Sequence, residues 1–286
     1  MSDDSTTPRP PRFLLSDADL GEEEALAVAD VVRSKWLSVG RRTAAFESAF
    51  ADYVDSPNAV ATSSATASLH LALLALGLGP GDEVLVPSYT FVASANAVVY
   101  VGATPVFVDI TGSTDLNMDP NDVEAKITPR TKAIMVVHIA GYLADMNVIM
   151  GIAERHGLFV VEDAAHAVGA RYLAPGDYED RAAGTIGGIG CFSFFANKNL
   201  VTGEGGMVTT GDGDLARRVR LGRSHGMTKS SWDKAEGRAT DYDIEEIGYN
   251  YRPTEITAAL GLIQLTKLDA AISQRRILTE RYRTRL

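Results

Sequence analysis

Cysteine is almost absent. Cys191 is the one thiol in 286 residues, so no disulfide can close within the chain. A lone thiol fits a reducing, cytoplasmic setting. Histidine is scarce as well, with five residues, and neither these nor the cysteine fall at spacings that hold a metal ion. Positive charge is in deficit: 27 lysines and arginines against 37 acidic residues give a net charge of −10. That speaks against non-specific nucleic-acid binding, which needs a basic footprint. It leaves a small anionic ligand open, since a few local N–H groups outweigh a distant net charge. No apolar run reads as long enough to cross a bilayer. The segment from Ser2 to Arg12 is polar and proline-rich. It lacks the apolar stretch of a signal peptide and predicts a flexible tail over 1–12. There is no Walker A loop, no H-E-x-x-H pair and no G-x-S-x-G elbow.

What is present is an ordinary globular composition, 45% hydrophobic and 22% charged, long enough to bury a core without disulfides. Short β-rich runs alternate with helical patterns. Helices are expected over Glu22–Val32, Arg41–Tyr53, Ala65–Leu76, Phe91–Tyr100, Met146–Arg155 and Asp214–Leu221. Strands are expected over Ala59–Ala61, Glu83–Val86, Pro105–Val108, Ala133–Val137, Leu158–Val161 and Cys191–Phe195, with a hairpin over Gly203–Thr210. The alternation predicts βαβ units and a mostly parallel sheet, and its wholly apolar strands predict cover on both faces. Ala65–Leu76 is apolar almost all round and should be buried. Gly226 to Ile247 is polar and reads as a mobile loop. Pro253 opens a last helix that runs to Leu286, with Arg275 and Arg276 on its polar face.

Three segments carry chemistry. Thr62 to His70 (TSSATASLH) sets small hydroxyl residues before a buried helix; its N–H groups suit a phosphate, or the hydroxyls simply cap. In LFVVEDAAHAVGA a buried strand ends on Glu162 and Asp163, with His166 shortly after. Ligands of open α/β sheets bind beyond the carboxyl ends of strands, although Asp163 could equally cap a helix with His166 packed on it. In GCFSFFANKNLVTGEGG an apolar strand delivers Ser193 and then Lys198 into a glycine-bounded turn; taken singly, Lys198 would be a solvated loop residue. The G-x-G-x-x-A match at Gly211 carries Asp212 and Asp214, which would repel a pyrophosphate, so it reads as a hairpin exit and helix cap. The acidic run Asp241 to Glu246 reads as a solvated loop.

Taken together and in order, these segments closely resemble the DegT/DnrJ/StrS family of sugar aminotransferases. The likeness extends over KWLSVGRRTAAFE, VLVPSYTFVASANAV, VVHIAGYLADM, EDAAHAVGA, FSFFANKNLVTGEGGM, RSHGM and GYNYRPTEITAALGLIQL. It implies the aspartate-aminotransferase-like fold of enzymes dependent on pyridoxal 5'-phosphate (PLP), an α/β large domain with a mixed, mostly parallel sheet. By matching position, Lys198 resembles the lysine that holds PLP as a Schiff base and then moves protons. Asp163 resembles the partner of the ring nitrogen. Ala65 and Thr66 match the phosphate-binding turn, Ser193 a second phosphate contact, Phe91 an aromatic stacked on the ring, and His166 a Gln or His beside it. Asn250 matches an asparagine that reaches the cofactor phosphate of a neighbouring subunit, which implies a homodimer with shared active sites. Phe91 could instead be a core residue and Asn250 a turn residue. His138 and Tyr142 are expected either to line the strand-end cleft or to pack structurally.

The implied activity moves an amino group from L-glutamate, or glutamine, to a nucleotide-linked keto-sugar. Relatives that dehydrate sugars carry histidine in place of the lysine, so Lys198 argues against that alternative. Two departures stand out. Many relatives have glycine at the position of Ala65, and relatives continue into a small C-terminal domain. The expected layout is a tail over 1–12, a PLP-binding large domain with N-terminal helices over 13–255, and a helix over 256–286 leading toward a small domain that is largely missing. A catalytically impaired PLP-binding remnant is the alternative that follows from the missing domain.

Overall fold

The computed structural model describes residues 17–229, 231–237 and 240–286; the expected tail over 1–12 lies outside them. Seven strands form one sheet: β1 (Asn58–Thr62), β2 (Glu83–Pro87), β3 (Thr104–Val108), β4 (Thr131–Val137), β5 (Phe159–Asp163), β6 (Ile189–Ser193) and β7 (Gly206–Thr210). Their order is β1-β7-β6-β5-β4-β2-β3. Strand β7 runs antiparallel to both its neighbours and every other pairing is parallel, so the expected mixed, mostly parallel α/β sheet is the one found.

The period-2 alternation of side chains sorts the strands' residues onto two faces. Val60, Val84, Val86, Ala133, Met135, Val161, Cys191 and Val208 pack with helices α3 (Ala65–Ala75), α4 (Val92–Tyr100) and α7 (Gly213–Arg223). On the opposite face, Leu85, Ile134, Val136 and Val160 meet α6 (Met146–His156). Beside them Ala59, Ala61, Phe192 and Met207 meet α2 (Arg41–Val54) and the long α9 (Glu255–Arg285). Phe50 lies against Phe192 and Phe194 with ring centroids 5.0 and 5.5 Å apart, near edge-on as aromatic quadrupoles favour. The run GTIGGIG is a packing requirement. A Cβ on Gly190 would lie 2.1 Å from the Gly184 carbonyl oxygen, and Gly184 itself has φ +78°.

Helix α1 (Glu22–Ser34) is tied to α9 through Glu24, which accepts from Gln264 at 2.9 Å and from Lys267 at 2.7 Å. Helix α2 begins at Gly40, which has no side chain to cap it. Its cap comes from far along the chain: the Glu255 carboxylate accepts from the N–H groups of Gly40, Arg42 and Thr43 at 2.8–2.9 Å and from the Thr43 hydroxyl at 2.7 Å. Orphan N–H groups of a first turn need such a partner. Glu255→Ala should therefore cost about 3 kcal/mol, in line with charged hydrogen bonds lost from a buried site, read as a lowered urea midpoint at unchanged slope.

Several expectations are corrected. The hairpin is formed by β6 and β7; of the span Gly203–Thr210 only Gly206–Thr210 is strand, and 203–205 belongs, with the Lys198 segment, to the loop before it. Helix α5 (Pro120–Lys126), capped by Asp119, adds to the expected elements. The polar stretch after Gly226 contains α8 (Ser231–Ala235), where Trp232 packs on Trp36 at 4.9 Å and lies under the Arg41 guanidinium at 5.4 Å. Anchoring of that kind depends on partners far off in sequence, so local polarity suggested a free loop. Finally, α9 is long and apolar enough to cross a bilayer by length and composition alone. Its Ala258, Ala259, Gly261, Gln264 and Leu268 are instead buried, with the helix packed on α1 and α2.

Candidate active site

The carboxyl ends of β4, β5 and β6 open into a cavity of about 920 Å³. Asp163 ends β5 on the face toward α3 and α4, following the alternation that buries Val161 there. It is 5% exposed, and two donors hold its carboxylate: Ser94 Oγ to Oδ2 at 2.7 Å and the Ala165 N–H to Oδ1 at 3.2 Å. No helix follows it. A turn carries the chain on, so Asp163 is not a helix cap.

On one side of Asp163 stands the start of α3. Ser64 is its N-cap and accepts from the Ala67 N–H at 3.2 Å. The first intrahelical acceptor is the Ser64 carbonyl, which receives Ser68 N–H. The N–H groups of Ala65 and Thr66 thus have no acceptor among the described residues, at the positive end of the helix. Both residues line the cavity, as do Ser193 at the end of β6 and Phe91 before α4. Gly206 explains how β7 comes so near: a Cβ there would lie 2.5 Å from the Ser64 carbonyl.

From the other side comes the 194–205 loop. Its ends are pinned by Phe194 N–H to the Gly205 carbonyl at 2.9 Å and Thr202 N–H to the Phe194 carbonyl at 2.8 Å. Phe194 and Leu200 are buried beneath it. Lys198 is half-buried and lines the cavity; it forms no ion pair among the described residues. Burial lowers its pKa below the usual lysine value, with the Asp163 charge pulling the other way. His166 also lines the cavity, with Nδ1 facing the Ala140 N–H at 3.4 Å. Partial burial and then the Lys198 charge lower its pKa, against an opposing pull from Asp163.

Seven of the eight expected site residues therefore meet around one cavity: Ala65, Thr66, Phe91, Asp163, His166, Ser193 and Lys198. Asn250 does not. It is exposed and pairs its backbone with Ser224. His138 and Tyr142 are also absent from the lining. Tyr142 is exposed, while His138 is fully buried and belongs to a framework cluster. The wholly buried Glu162 carboxylate accepts from His138 Nε2 at 2.9 Å and from the N–H groups of Gly184, Ile186 and Gly187 at 2.8, 2.7 and 2.5 Å. Burial acts to raise the Glu162 pKa, but the bonds from His138 and these N–H groups prevail and lower it. This cluster ties the glycine-rich run to β5 directly beneath Asp163. Thr90, Ser94 and Glu204 are further polar groups at the site that residue-type reasoning had not singled out. Ser94 had one available signal, a hydroxyl within the apolar run VASANAVVY.

The chain matches the DegT/DnrJ/EryC1/StrS aminotransferase family model over residues 18–286. It belongs to that family. Among curated relatives it is 46% identical over 266 residues to the spore coat polysaccharide biosynthesis protein SpsC of Bacillus subtilis, covering 93% of this chain and 67% of that protein. It is 47% identical, with the same coverage, to the GDP-perosamine synthase of Caulobacter vibrioides. Among solved structures it superposes on a putative sugar aminotransferase of Streptococcus pneumoniae in its PMP form with TM-score 0.87, at 32% identity, over 95% of this chain and 72% of that one. The same protein has been solved in its PLP form. The chain spans about two thirds of the length of the curated relatives.

PLP is the cofactor of this aminotransferase family, and the residues present fit it. Two helix-start N–H groups with no partner among the described residues and the Ser193 hydroxyl line the cavity together, donors of the kind a phosphate takes. A carboxylate held by two donors and a lysine of lowered pKa line the same cavity, groups of the kind a PLP ring and aldehyde take.

Proposed function

We propose that this aminotransferase carries an amino group from L-glutamate, or glutamine, to a nucleotide-linked keto-sugar. The observation that carries the reading is the convergence of the Lys198 amine and the Asp163 carboxylate on one cavity whose floor offers phosphate donors. The choice of a sugar acceptor is supported by the relatives: GDP-perosamine synthase, and PseC of Helicobacter pylori, an aminotransferase of pseudoaminic acid biosynthesis that is 33% identical.

In this reading Ala65, Thr66 and Ser193 hold the cofactor phosphate, Phe91 and His166 flank its ring, and Asp163 keeps the ring nitrogen protonated. When bound, PLP supplies an electron-accepting ring that stabilises negative charge at the carbon carrying the amino group. The chain supplies the rest. Lys198 Nζ would hold the cofactor and would take up and return a proton as general base and acid. Its lowered pKa keeps more of the amine in the neutral form that can accept that proton. The pinned ends of the 194–205 loop limit how far Nζ can wander from the reacting atoms.

A homodimer with Asn250 reaching the partner's cofactor completes the reading, in a cytoplasmic setting. It is supported by the exposed apolar face around Tyr89, Phe91, Val92, Val99 and Tyr100, a patch of the kind that marks protein contacts. It also gives Asn250 a role that its own cavity does not.

The test is spectroscopic. Purified chain mixed with PLP should develop the visible band of covalently attached cofactor, L-glutamate should bleach it, and a nucleotide-linked keto-sugar should restore it. A band unmoved by glutamate and by glutamine would reject the donor. Restoration by a 2-keto acid alone, with no sugar active, would reject the acceptor.

A further inference from the structure

Two hydroxyl groups in series lead to Asp163, and only the nearer one bonds to its carboxylate. Ser94 on α4 is fully buried, and its Oγ donates to Asp163 Oδ2 at 2.7 Å. Thr90, in the segment leading into α4, sets its Oγ1 2.8 Å from Ser94 Oγ. A serine hydroxyl has one proton. Because Ser94 gives that proton to the carboxylate, the Thr90 hydroxyl must donate to Ser94. The order is therefore fixed: Thr90 to Ser94 to Asp163, from the cavity lining to the carboxylate. Thr90 itself lines the cavity. A buried serine in a helix that is otherwise apolar on its inward side could have satisfied its hydroxyl on a backbone carbonyl one turn back. This one bonds instead to the functional carboxylate 69 residues away.

We infer that Ser94, backed by Thr90, is a positioning residue that keeps the Asp163 carboxylate oriented and charged, so that the shared proton stays on the ring nitrogen of bound PLP. The inference rests on the cofactor reading above. A hydrogen bond to a carboxylate favours its charged form, and donors in series strengthen one another. Removing Ser94 Oγ leaves the carboxylate with one protein donor, the longer bond from Ala165 N–H. It is then a stronger competitor for the proton it shares with the ring nitrogen, and it is free to turn. As the proton moves toward the carboxylate, the ring accepts electrons less readily.

The experiment is nitrogen NMR of PLP labelled with 15N in the ring and bound to the full chain, comparing wild type with Ser94→Ala, Ser94→Thr and Thr90→Val. The wild-type ring nitrogen should resonate at its protonated position. Ser94→Ala should shift it toward the unprotonated position and lower the glutamate half-reaction by roughly tenfold, the weight of one charge-assisted hydrogen bond. Ser94→Thr, which keeps the hydroxyl, should restore both. Thr90→Val should give a smaller shift in the same direction, and it reads the relay without opening a cavity inside α4 should Ser94→Ala fold poorly. A ring nitrogen unmoved in Ser94→Ala and Thr90→Val overturns the inference, even if Ser94→Ala is less stable to urea, since that would leave Ser94 a packing residue. Wild-type chain that binds no PLP overturns the cofactor reading instead, and shows it before any variant is made.

Discussion

Lys198→Ala should lower amino transfer by roughly 10³-fold or more while leaving the fold intact. The side chain makes no hydrogen bond or ion pair among the described residues, and its loop is held by backbone bonds at Phe194, Thr202 and Gly205. Little stability is at stake, so the urea midpoint should hardly move. The chemistry loses two things at once. One is the amine that attaches the cofactor. The other is the group that carries a proton between donor and product carbon, and general acid–base catalysis alone is worth about 10²–10⁴-fold. PLP should still bind, more weakly, through the N–H groups of Ala65 and Thr66. Single-turnover spectroscopy with L-glutamate reads the rate directly. Wild-type bleaching in Lys198→Ala would remove Lys198 from the mechanism.

The second large effect is expected at Asp163. Asparagine keeps the size and one acceptor oxygen, so the bond from Ser94 can persist, but it has no charge to hold a proton on the ring nitrogen. Asp163→Asn should retain part of its PLP and lose roughly 10²–10³-fold in the glutamate half-reaction, the scale seen when one preorganised electrostatic group is removed from a reacting centre. The bound fraction, measured by absorbance after gel filtration, separates lost binding from lost chemistry. Undiminished turnover would leave Asp163 a structural residue.

How far the sequence discloses all this follows from the range over which each feature is set. The apolar strands and the wholly apolar α3 are written in local periodicity, and they emerge within a residue or two of expectation. The segments holding Thr66, Asp163 and Lys198 are each local too, yet each alone also admitted a bland use. What no single segment discloses is that the three line one cavity; the capping use stands beside it, since Ser64 does cap α3. Features built by distant partners were illegible. Glu255 caps a helix more than two hundred residues upstream. Trp232 finds Trp36 across the molecule. His138 pairs with the buried Glu162 instead of facing the cleft. In these cases residue type suggests a polar group in need of a partner, and the fold alone selects which partner it meets. Ser94 belongs with them: a hydroxyl inside an apolar helix is a visible anomaly, but its acceptor lies on another strand.

The central claim is that Lys198, and no other amine, takes the cofactor in this cavity. It is tested most directly by reducing the PLP-loaded chain with borohydride and locating the pyridoxyl group by peptide mass mapping. The account predicts a single modified peptide, the one containing Lys198, and none in the Lys198→Ala chain. A pyridoxyl group on Lys132, Lys267 or another lysine of the wild-type chain, with Lys198 unmodified, would contradict it.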